Sequence, residues 1–300
     1  MMMSIDTPPC RLCGRASCGV VYDGPIRSGG AQSGAEEGYR VLGCADCGIV
    51  FLHPLPPALD EYYSGEDYWT DHHGPIDLAK LHRRHDPEQV RWFAEVGTRS
   101  IRGRRIADFG CGAGIFLDHA LGIAAETIGV DASSVFADHL ESRGHRFVSG
   151  NDRIEPGSID LAVSFDTLEH VVDPHGFLGS IHRALAPDGV LFIGVPNQHD
   201  FLKELVPGYL PFFYHRSHLY YFDQISLARV LGDSGFTVLE TRFVHKYDLM
   251  NMVVWARDGV GRGRVGSEVF DQRTEDDFRL DVERQGIASH LLIRAKRTER

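Results

Sequence analysis

The chain has 300 residues, of which 43% are hydrophobic and 24% are charged, and its formal net charge is −11. This length accommodates one sizeable α/β domain with a small appendage, and the composition is that of a globular protein. The acidic balance disfavours a nucleic-acid partner, because the field of the whole molecule repels phosphate backbones. No apolar run reaches the ~20 residues of a membrane helix, and the first residues lack the pattern of a signal peptide. We therefore expect a cytoplasmic protein, free of the membrane, with reduced thiols.

Two cysteine pairs stand near the start of the chain, Cys10 with Cys13 and Cys44 with Cys47, and a glycine follows each pair. Each pair can present two thiolates on one tight turn, where the glycine supplies a positive φ angle. The four thiolates together satisfy tetrahedral zinc, and reducing conditions disfavour the disulfide alternative. Because a closed site of this kind leaves no position for a substrate, we predict a structural zinc in a module spanning residues 1–58.

The other two cysteines carry no predicted chemistry. Cys18 lacks a partner at the spacing of the two pairs, and Cys111 lies in a glycine turn where any small residue suffices. Residues 24–38, between the pairs, are rich in Gly, Ser and Ala, which predicts a hairpin with a long, loose tip. A proline-punctuated linker over residues 51–57 then leads to a second predicted domain, residues 59–300.

Beyond residue 105, apolar runs typical of strands alternate with helical patterns. We predict strands at 105–109, 126–130, 146–149, 159–165, 189–195, 237–244 and 290–296. We predict helices at about 114–122, 133–143, 174–186 and 224–234, the last of them capped by Asp223 or Ser226, after an earlier helical stretch at 76–98. Such alternation predicts an α/β fold with a mainly parallel sheet and helices on both faces. Residues 248–287 are interpreted as an insertion before the last strand, with a glycine-rich loop and a charged helix over 267–285.

A glycine-rich turn follows the first predicted strand of this sheet and contains Asp108, Gly110, Gly112 and Gly114. Glycine lets the backbone bend sharply and approach a ligand, and the free N–H groups at the following helix start favour a carboxylate. Asp131 ends the next predicted strand, where its side chain can accept hydrogen bonds from both hydroxyls of a ribose. A glycine turn without a ligand is the plain alternative. The third glycine of a dinucleotide fingerprint is missing, which argues against a pyrophosphate.

Four motifs occur in a fixed order along the chain. They are the glycine turn, Ile-Gly-Val-Asp at 128–131, Phe-Asp-Thr-Leu-Glu-His-Val at 165–171 and Leu-Ala-Pro-Asp-Gly-Val-Leu-Phe-Ile-Gly-Val-Pro-Asn at 185–197. Together they resemble class I S-adenosylmethionine-dependent methyltransferases over residues 105–245. The resemblance implies a Rossmann-like, seven-stranded methyltransferase sheet whose last strand inserts antiparallel. The order of cysteine pairs, Pro-Leu-Pro linker, Tyr-Tyr and Asp-Tyr-Trp is similar to bacterial methyltransferases of sugar, surface-glycan and natural-product biosynthesis.

The resemblance also implies S-adenosylmethionine as the cofactor and suggests which residues meet its parts. Residues 108–114 would wrap the methionine moiety, and Asp131 would hold the ribose hydroxyls. Asn151 and Asp152, directly after the third strand, would meet the adenine amine.

Two further pairs of residues complete the cofactor site that the resemblance implies. Phe165 and Asp166, at the end of the fourth strand, would lie beside the methionine amino group. Tyr68 and Trp69 could close over the cofactor, and packing between the two predicted domains is their plain alternative.

The acceptor side of the site has three candidate bases. A base is needed only where the acceptor loses a proton of high pKa. His170 and Asp166 follow the fourth strand, and packing near a helix N-terminus is the plain alternative for the histidine. His218 stands in a His-Arg-Ser-His-Leu-Tyr-Tyr-Phe element that the family also carries. We interpret residues 198–222 as a lid and His218 as the first choice of base, unless it only ties the lid to the sheet.

The resemblance therefore implies methyl transfer to a small molecule, a sugar derivative or a natural-product intermediate, with O-methylation expected ahead of N- or C-methylation. Two alternatives stay open. The first is a tRNA or rRNA methyltransferase with the zinc module as an RNA clamp, against which the acidic balance argues. The second is a non-catalytic, cofactor-binding protein. Expected protein contacts are a biosynthetic partner or a second copy of the chain.

Overall fold

The computed structural model of the protein describes residues 7–31, 33–261 and 269–298. The chain forms two compact units. The first combines the residues up to Pro56 with Pro196–Arg229 and Phe243–Leu291, and the second holds the remaining residues. The predicted boundary at residue 58 is close to the first break between the units. The later part of the predicted 59–300 domain nevertheless contributes two segments to the first unit.

Thirteen strands and twelve helices lie within the described residues. The strands are β1 (Cys18–Tyr22), β2 (Ile26–Arg27), β3 (Ala35–Glu36), β4 (Arg40–Cys44), β5 (Val50–His53), β6 (Arg105–Phe109), β7 (Glu126–Asp131), β8 (Arg146–Ser149), β9 (Ile159–Phe165), β10 (Leu185–Pro196), β11 (Tyr220–Tyr221), β12 (Phe236–Val244) and β13 (His290–Arg297). The helices are α1 (Leu59–Ser64), α2 (Asp67–His73), α3 (Leu78–Val96), α4 (Thr98–Ile101), α5 (Ile115–Ala120), α6 (Ala137–Ser142), α7 (Pro174–Ala184), α8 (Leu202–Leu205), α9 (Leu210–Phe213), α10 (Gln224–Asp233), α11 (Leu249–Asp258) and α12 (Gln272–Arg284). Two short 3-10 helices span Asn151–Arg153 and Leu168–His170.

A seven-stranded sheet runs in the order β12-β13-β10-β9-β6-β7-β8. The pairs β6–β7, β6–β9, β9–β10 and β7–β8 are parallel. The last strand ends beside the start of its neighbours, because the Arg297 guanidinium donates to the Leu185 carbonyl at 2.7 Å and the Thr298 N–H donates to the Gly235 carbonyl at 2.8 Å. β13 is therefore antiparallel, and the predicted Rossmann-like methyltransferase sheet is confirmed.

The strand that differs most from its prediction is β10, which begins at Leu185 rather than at residue 189. Leu185 pairs with Ile159, and the register then shifts before pairing resumes at Val190. The turn residues of the Pro-Asp-Gly sequence fall inside this irregularity, which is why the pattern of apolar residues begins later than the strand itself.

Aspartate side chains fix where several helices begin. Asp77, Asp173, Asp248 and Asp271 each accept a hydrogen bond from the backbone N–H three residues later, as N-cap residues do. Asp223 does the same before α10, since its Oδ1 accepts from the Ser226 N–H at 2.7 Å, and of the two predicted caps Asp223 is therefore the one used. The helices of the described ranges include none with both the length and the hydropathy to span a bilayer.

The first unit contains a second sheet, in the order β1-β4-β5-β11, and a separate β2–β3 hairpin. Residues 24–38 were expected to form a loose tip, and here the structure differs. Ile26 in β2 is fully buried, and the Arg27 N–H donates to the Tyr214 carbonyl at 3.0 Å. Burial of Ile26 and the hydrogen bond of Arg27 both stabilise the ordered conformation of the hairpin.

Segments far apart in sequence build the hydrophobic core of this first unit. The core comprises Ile26, Val41, Val50, Leu52, Leu202, Val206, Tyr209, Phe213, Tyr214, Tyr221 and Trp255. Some fifty residues cannot bury enough apolar surface alone, and residues 198–222 together with α11 supply the remainder. Residues 198–222 are thus packed into a core in this structure, and their movement as a lid stays a prediction.

The insertion before β13 contains α11 and α12. The predicted charged helix over 267–285 corresponds to α12, whose residues are Gln272–Arg284. Most of the predicted glycine-rich loop, which includes Gly263 and Gly266, lies outside the described residues.

Candidate functional site

The turn between β6 and α5 holds three glycines at positive φ, +87° at Gly110, +49° at Gly112 and +75° at Gly114. Residues other than glycine rarely adopt positive φ, because their Cβ approaches the backbone too closely. Space is short as well, since a Cβ on Gly112 would lie 2.6 Å from the ring of Trp69. A Cβ on Gly110 would overlap the side chain of Thr167. Glycine is therefore required here by conformation and by contact.

Asp131, the last residue of β7, faces this turn. Its Oδ2 accepts a hydrogen bond from the Gly112 N–H at 2.9 Å, and its Oδ1 accepts one from the Ser133 N–H at 2.9 Å. Burial raises the pKa of Asp131, and these two N–H groups partly counter that rise. A carboxylate has about four lone-pair positions, so each oxygen can still accept a further hydrogen bond. The structure thus brings Asp131 and the glycine turn together, with acceptor capacity left for a diol.

Asp108 is the penultimate residue of β6, just before the turn, and it is 5% exposed. Burial, and after it the charge of Asp131, raises the pKa of Asp108 to about 8. Its side chain is therefore mostly neutral at pH 7. A cation bound beside it would favour the carboxylate form instead.

Ser133 is a residue of this site that the sequence reading did not single out. Its N–H donates to Asp131, and its hydroxyl donates to the Gly65 carbonyl at 3.2 Å, between α1 and α2. The turn that follows β7 is in this way hydrogen-bonded to the start of the segment that carries Tyr68 and Trp69. Its position two residues after Asp131 was the available signal, because serine commonly bonds backbone groups in such turns.

Trp69 lies on the glycine turn, within the second unit. Its ring packs edge-to-face on Phe136 at 4.8 Å between centroids and stacks on His73 at 5.5 Å. Tyr68 is its neighbour, with centroids 5.4 Å apart. Closure of Tyr68 and Trp69 over a cofactor stays a prediction.

The end of β9 carries the next predicted residues, Phe165 and Asp166. The Phe165 ring is buried and stacks on Trp92 at 4.9 Å with an interplanar angle of 3°, so only its backbone is available to a ligand. Asp166 has φ +51°, which is strained for a residue other than glycine, and its N–H donates to the Gly194 carbonyl at 2.9 Å. Strain of this kind at a strand end is typical of functional sites.

His170 belongs to an aromatic group beside these residues. Its Nδ1 lies 3.2 Å from the Tyr63 hydroxyl, and its ring centroid lies 5.6 Å from that of Tyr68. Tyr63 is a second residue that the sequence reading missed, because nothing in the sequence relates α1 to the end of β9.

Asn151 and Asp152 begin the 3-10 helix after β8. Asn151 is half-buried and Asp152 is exposed. The Gly150 N–H donates to the Asp131 carbonyl at 3.0 Å, which holds the start of this helix to the end of β7. The structure thus puts both predicted adenine contacts near Asp131 in the fold.

The four predicted cysteine ligands come together in the first unit. Cys10 Sγ lies 3.6 Å from Cys47 Sγ, and Cys13 Sγ lies 3.7 Å from Cys44 Sγ. All four sulfur atoms lie within 4.8 Å of one another. A disulfide requires about 2.05 Å, whereas thiolates at about 2.3 Å from a tetrahedral zinc are about 3.8 Å apart. The four thiols are free in this structure, and their spacing suits a metal.

The two cysteine turns have the same geometry. Gly14 and Gly48 have φ of +74° and +78°, and their N–H groups donate to the Cys10 and Cys44 carbonyls at 2.8 and 2.9 Å. Burial opposes ionisation of the Cys44 thiol, but the backbone N–H groups of the turn outweigh it and lower the pKa to about 7. The thiolate form that a metal needs is therefore accessible at this position.

Cys18 stands next to the cluster without belonging to it. It pairs with Cys44 across β1 and β4, and burial raises the pKa of its thiol to about 12. Its role as a bystander stays a prediction.

His218 belongs to the first unit, whereas His170 and Asp166 belong to the second. Its ring centroid lies 3.6 Å from that of His215 and 5.8 Å from that of Tyr221. The His218 N–H also donates to the His215 carbonyl at 3.0 Å. Its local surroundings are thus an aromatic and imidazole group at the start of β11.

The family model and the relatives that match this chain are all described as methyltransferases. A family model described as a methyltransferase domain matches residues 81–241. The ubiquinone biosynthesis O-methyltransferase of Thiobacillus denitrificans is 31% identical over 125 residues, which are 38% of this chain and 53% of that protein. A probable S-adenosylmethionine-dependent methyltransferase of Mycolicibacterium smegmatis is 26% identical over 223 residues, or 72% and 78% of the two chains.

Solved structures agree on the fold. A Burkholderia thailandensis 1,6-didemethyltoxoflavin-N1-methyltransferase, solved with S-adenosylhomocysteine, is 19% identical and has a TM-score of 0.51, covering 85% of this chain and 97% of that one. The chain spans about half the length of the Thiobacillus relative.

Proposed function

The chain belongs to the family of methyltransferase domains, and from that premise we propose that it transfers a methyl group from S-adenosylmethionine to a small molecule. The observation that carries the proposal is the hydrogen bond between the Gly112 N–H and Asp131 Oδ2, at 2.9 Å. It joins a turn that only glycine can form to a carboxylate able to accept a ribose diol. The resemblance of four ordered motifs supports the same cofactor.

The residues around the turn suit the parts of this cofactor. The backbone of the turn at 110–114 would face the methionine moiety, and Asp131 would hold the ribose hydroxyls. Asn151 and Asp152 would meet the adenine. Asp108, neutral when no cation is near, would become a carboxylate beside the positively charged methionine group.

Bound S-adenosylmethionine supplies an electrophilic methyl group on a sulfonium. The chain must then hold the acceptor atom about 3 Å from that methyl and in line with the sulfur, so positioning can dominate the rate. Trp69 and Tyr68 would exclude water over the cofactor. We propose His218 as the base that takes the acceptor proton, with His170 and Asp166 as alternatives, of which His170 shares the aromatic group of Tyr63 and Tyr68.

For the acceptor we propose a sugar derivative or a natural-product intermediate, methylated on oxygen. The Thiobacillus relative is named as an O-methyltransferase, which favours oxygen over nitrogen or carbon. The net charge of −11 favours such a small molecule over RNA.

We also propose that Cys10, Cys13, Cys44 and Cys47 hold one zinc ion. The support is the donor set, four sulfur atoms within 4.8 Å of one another, presented by two turns of the same geometry. Four protein ligands complete a tetrahedral shell, so the zinc would have a structural role.

The proposal is tested by isothermal titration calorimetry of S-adenosylmethionine into the full chain, followed by transfer of an isotope-labelled methyl group to a panel of catechols and nucleotide sugars. We expect binding at micromolar level, about −8 kcal/mol, and label incorporation into at least one hydroxyl-bearing class. The matched control is Asp138→Ala, an exposed carboxylate on α6. Absence of binding in the native protein would overturn the proposed function.

A further inference from the structure

Arg11 lies within the first cysteine turn, between Cys10 and Cys13. Its side chain extends from this turn to backbone carbonyls elsewhere in the first unit. Its Nη2 donates to the carbonyl of Leu52 and, at 3.2 Å, to the carbonyl of Leu219. The first carbonyl is in β5 and the second directly precedes β11. One guanidinium group on the cysteine turn therefore bonds both strands.

These two strands also pair with each other. Tyr220 lies opposite Phe51 in an antiparallel register, and the Leu52 N–H donates to the Leu219 carbonyl at 3.0 Å. The Arg11 guanidinium carbon lies 5.0 Å from the ring centroid of Phe51 and 5.3 Å from that of Tyr220. Both distances are within the range of cation–π attraction. Because β11 has only two residues, its own pairing with β5 is short, and the bonds from Arg11 add to it.

Within residues 7–31, 33–261 and 269–298, no carboxylate forms an ion pair with Arg11. Its Nε and Nη1 are buried, and the described part of the chain offers them no hydrogen-bond partner. A buried charge without a counter-charge is destabilising. Four thiolates around a divalent ion carry a net charge of about −2, and Arg11 directly follows one of the four cysteines in the sequence. A filled cysteine site would therefore add negative charge beside the turn that carries Arg11.

We propose that Arg11 is a positioning residue that couples occupancy of the four-cysteine site to the placement of residues 215–222. A metal ion would fix the turn from which Arg11 extends, and Arg11 in turn holds β11 against β5. Removal of the metal would loosen β11 and the preceding His215–His218 group. The consequence for methyl transfer rests on the proposed function, in which His218 meets the acceptor.

Amide hydrogen exchange of the full-length, zinc-loaded protein, read by mass spectrometry, tests this coupling. In Arg11→Met we expect the peptide covering 215–222 to exchange at least tenfold faster while the zinc content stays at one ion per chain. The matched control is Arg15→Met, because Arg15 flanks the same turn but its side chain is 71% exposed and lies 3.7 Å from Asp46. That variant should exchange like the native protein. Native-like exchange of 215–222 in Arg11→Met would overturn the proposal.

Two further measurements separate positioning from general destabilisation. Chelation of zinc from the native protein should accelerate amide exchange in the 215–222 peptide. In Arg11→Met, chelation should accelerate exchange of this peptide little further. The change in exchange of α11 on chelation should be the same in all variants. Arg11→Lys keeps the charge without the planar fork and should restore part of the protection. Equal acceleration throughout the first unit, or no response to chelation, would contradict the coupling. Affinity for S-adenosylmethionine, measured alongside, reports on the proposed function separately, since Arg11→Met should leave it unchanged.

Discussion

The Gly112 N–H donates to Asp131 Oδ2 at 2.9 Å, so the glycine turn after β6 and the carboxylate at the end of β7 form one hydrogen-bonded arrangement. Two parallel neighbouring strands that end side by side produce this relationship.

Replacement of this carboxylate should weaken cofactor binding. We expect Asp131→Ala to reduce the affinity for S-adenosylmethionine by about 1–3 kcal/mol, because hydrogen bonds from the ribose to a charged acceptor are lost. Calorimetry measures the effect, with Asp138→Ala as the control for loss of a nearby exposed charge. Unchanged affinity in Asp131→Ala would remove this residue from the site.

Two glycine substitutions distinguish backbone strain from contact with Trp69. Gly112 and Gly122 both have positive φ, +49° and +79°, but a Cβ on Gly122 meets no atom within 4 Å. We expect each alanine variant to lose about 1–2 kcal/mol of stability from the left-handed conformation. Only Gly112→Ala should also lower the affinity for S-adenosylmethionine, by tenfold or more, because the new methyl displaces Trp69. Thermal unfolding and calorimetry measure the two effects. Equal affinities in both variants would argue against a ligand at this turn.

The proposed metal site predicts different results for Cys44 and Cys18, which lie opposite each other on the neighbouring strands β4 and β1. Cys44→Ser should abolish stoichiometric zinc and destabilise the first unit, because a closed tetrahedral site needs all four thiolates. Cys18→Ser should retain one zinc per chain. Elemental analysis of the purified proteins decides the matter, and zinc retained in Cys44→Ser would mean that the ligands are others.

Asp108 predicts a pH dependence of stability. Its pKa is raised to about 8 in the folded protein by burial and by Asp131, against about 3.9 in an unfolded chain. The folded state therefore binds more protons, so stability from this group is fully present below about pH 4 and is lost as the pH rises towards 8. Asp108→Asn should show a flatter decline in the free energy of unfolding across that window. Parallel profiles for the two proteins would show that Asp108 does not titrate in this way.

A histidine base predicts a specific kinetic loss. Once an acceptor is turned over, His218→Ala should lower kcat by about 10²–10⁴ with the affinity for S-adenosylmethionine intact. His170→Ala provides the comparison, since it removes the alternative base. If only KM rises in His218→Ala, this residue positions the acceptor instead. A larger fall of kcat in His170→Ala would transfer the role to that residue.

The sequence by itself determined the features that depend on local chemistry. The seven strands of the large sheet and several of its helices follow from the periodicity of apolar residues, and the antiparallel last strand follows from the motif resemblance. The periodicity did not predict β11 or α11. The glycine turn needs backbone angles that only glycine adopts readily, so the glycines in the sequence indicate it. The spacing of the four cysteines likewise indicates two turns.

Tertiary structure decided which distant segments share a core. The apolar residues of 198–222 fit a lid and a core equally well in sequence, since a hydrophobic side chain does not specify its partner. In the structure they pack with Ile26, Val50 and Leu52. For the same reason, the sequence did not indicate that the ring of Phe165 is buried or that Tyr63 contacts His170. In the sequence, Arg11 is one charged residue in a cysteine turn. Only the fold brings it to the carbonyls of Leu52 and Leu219, which lie 41 and 208 positions further along the chain.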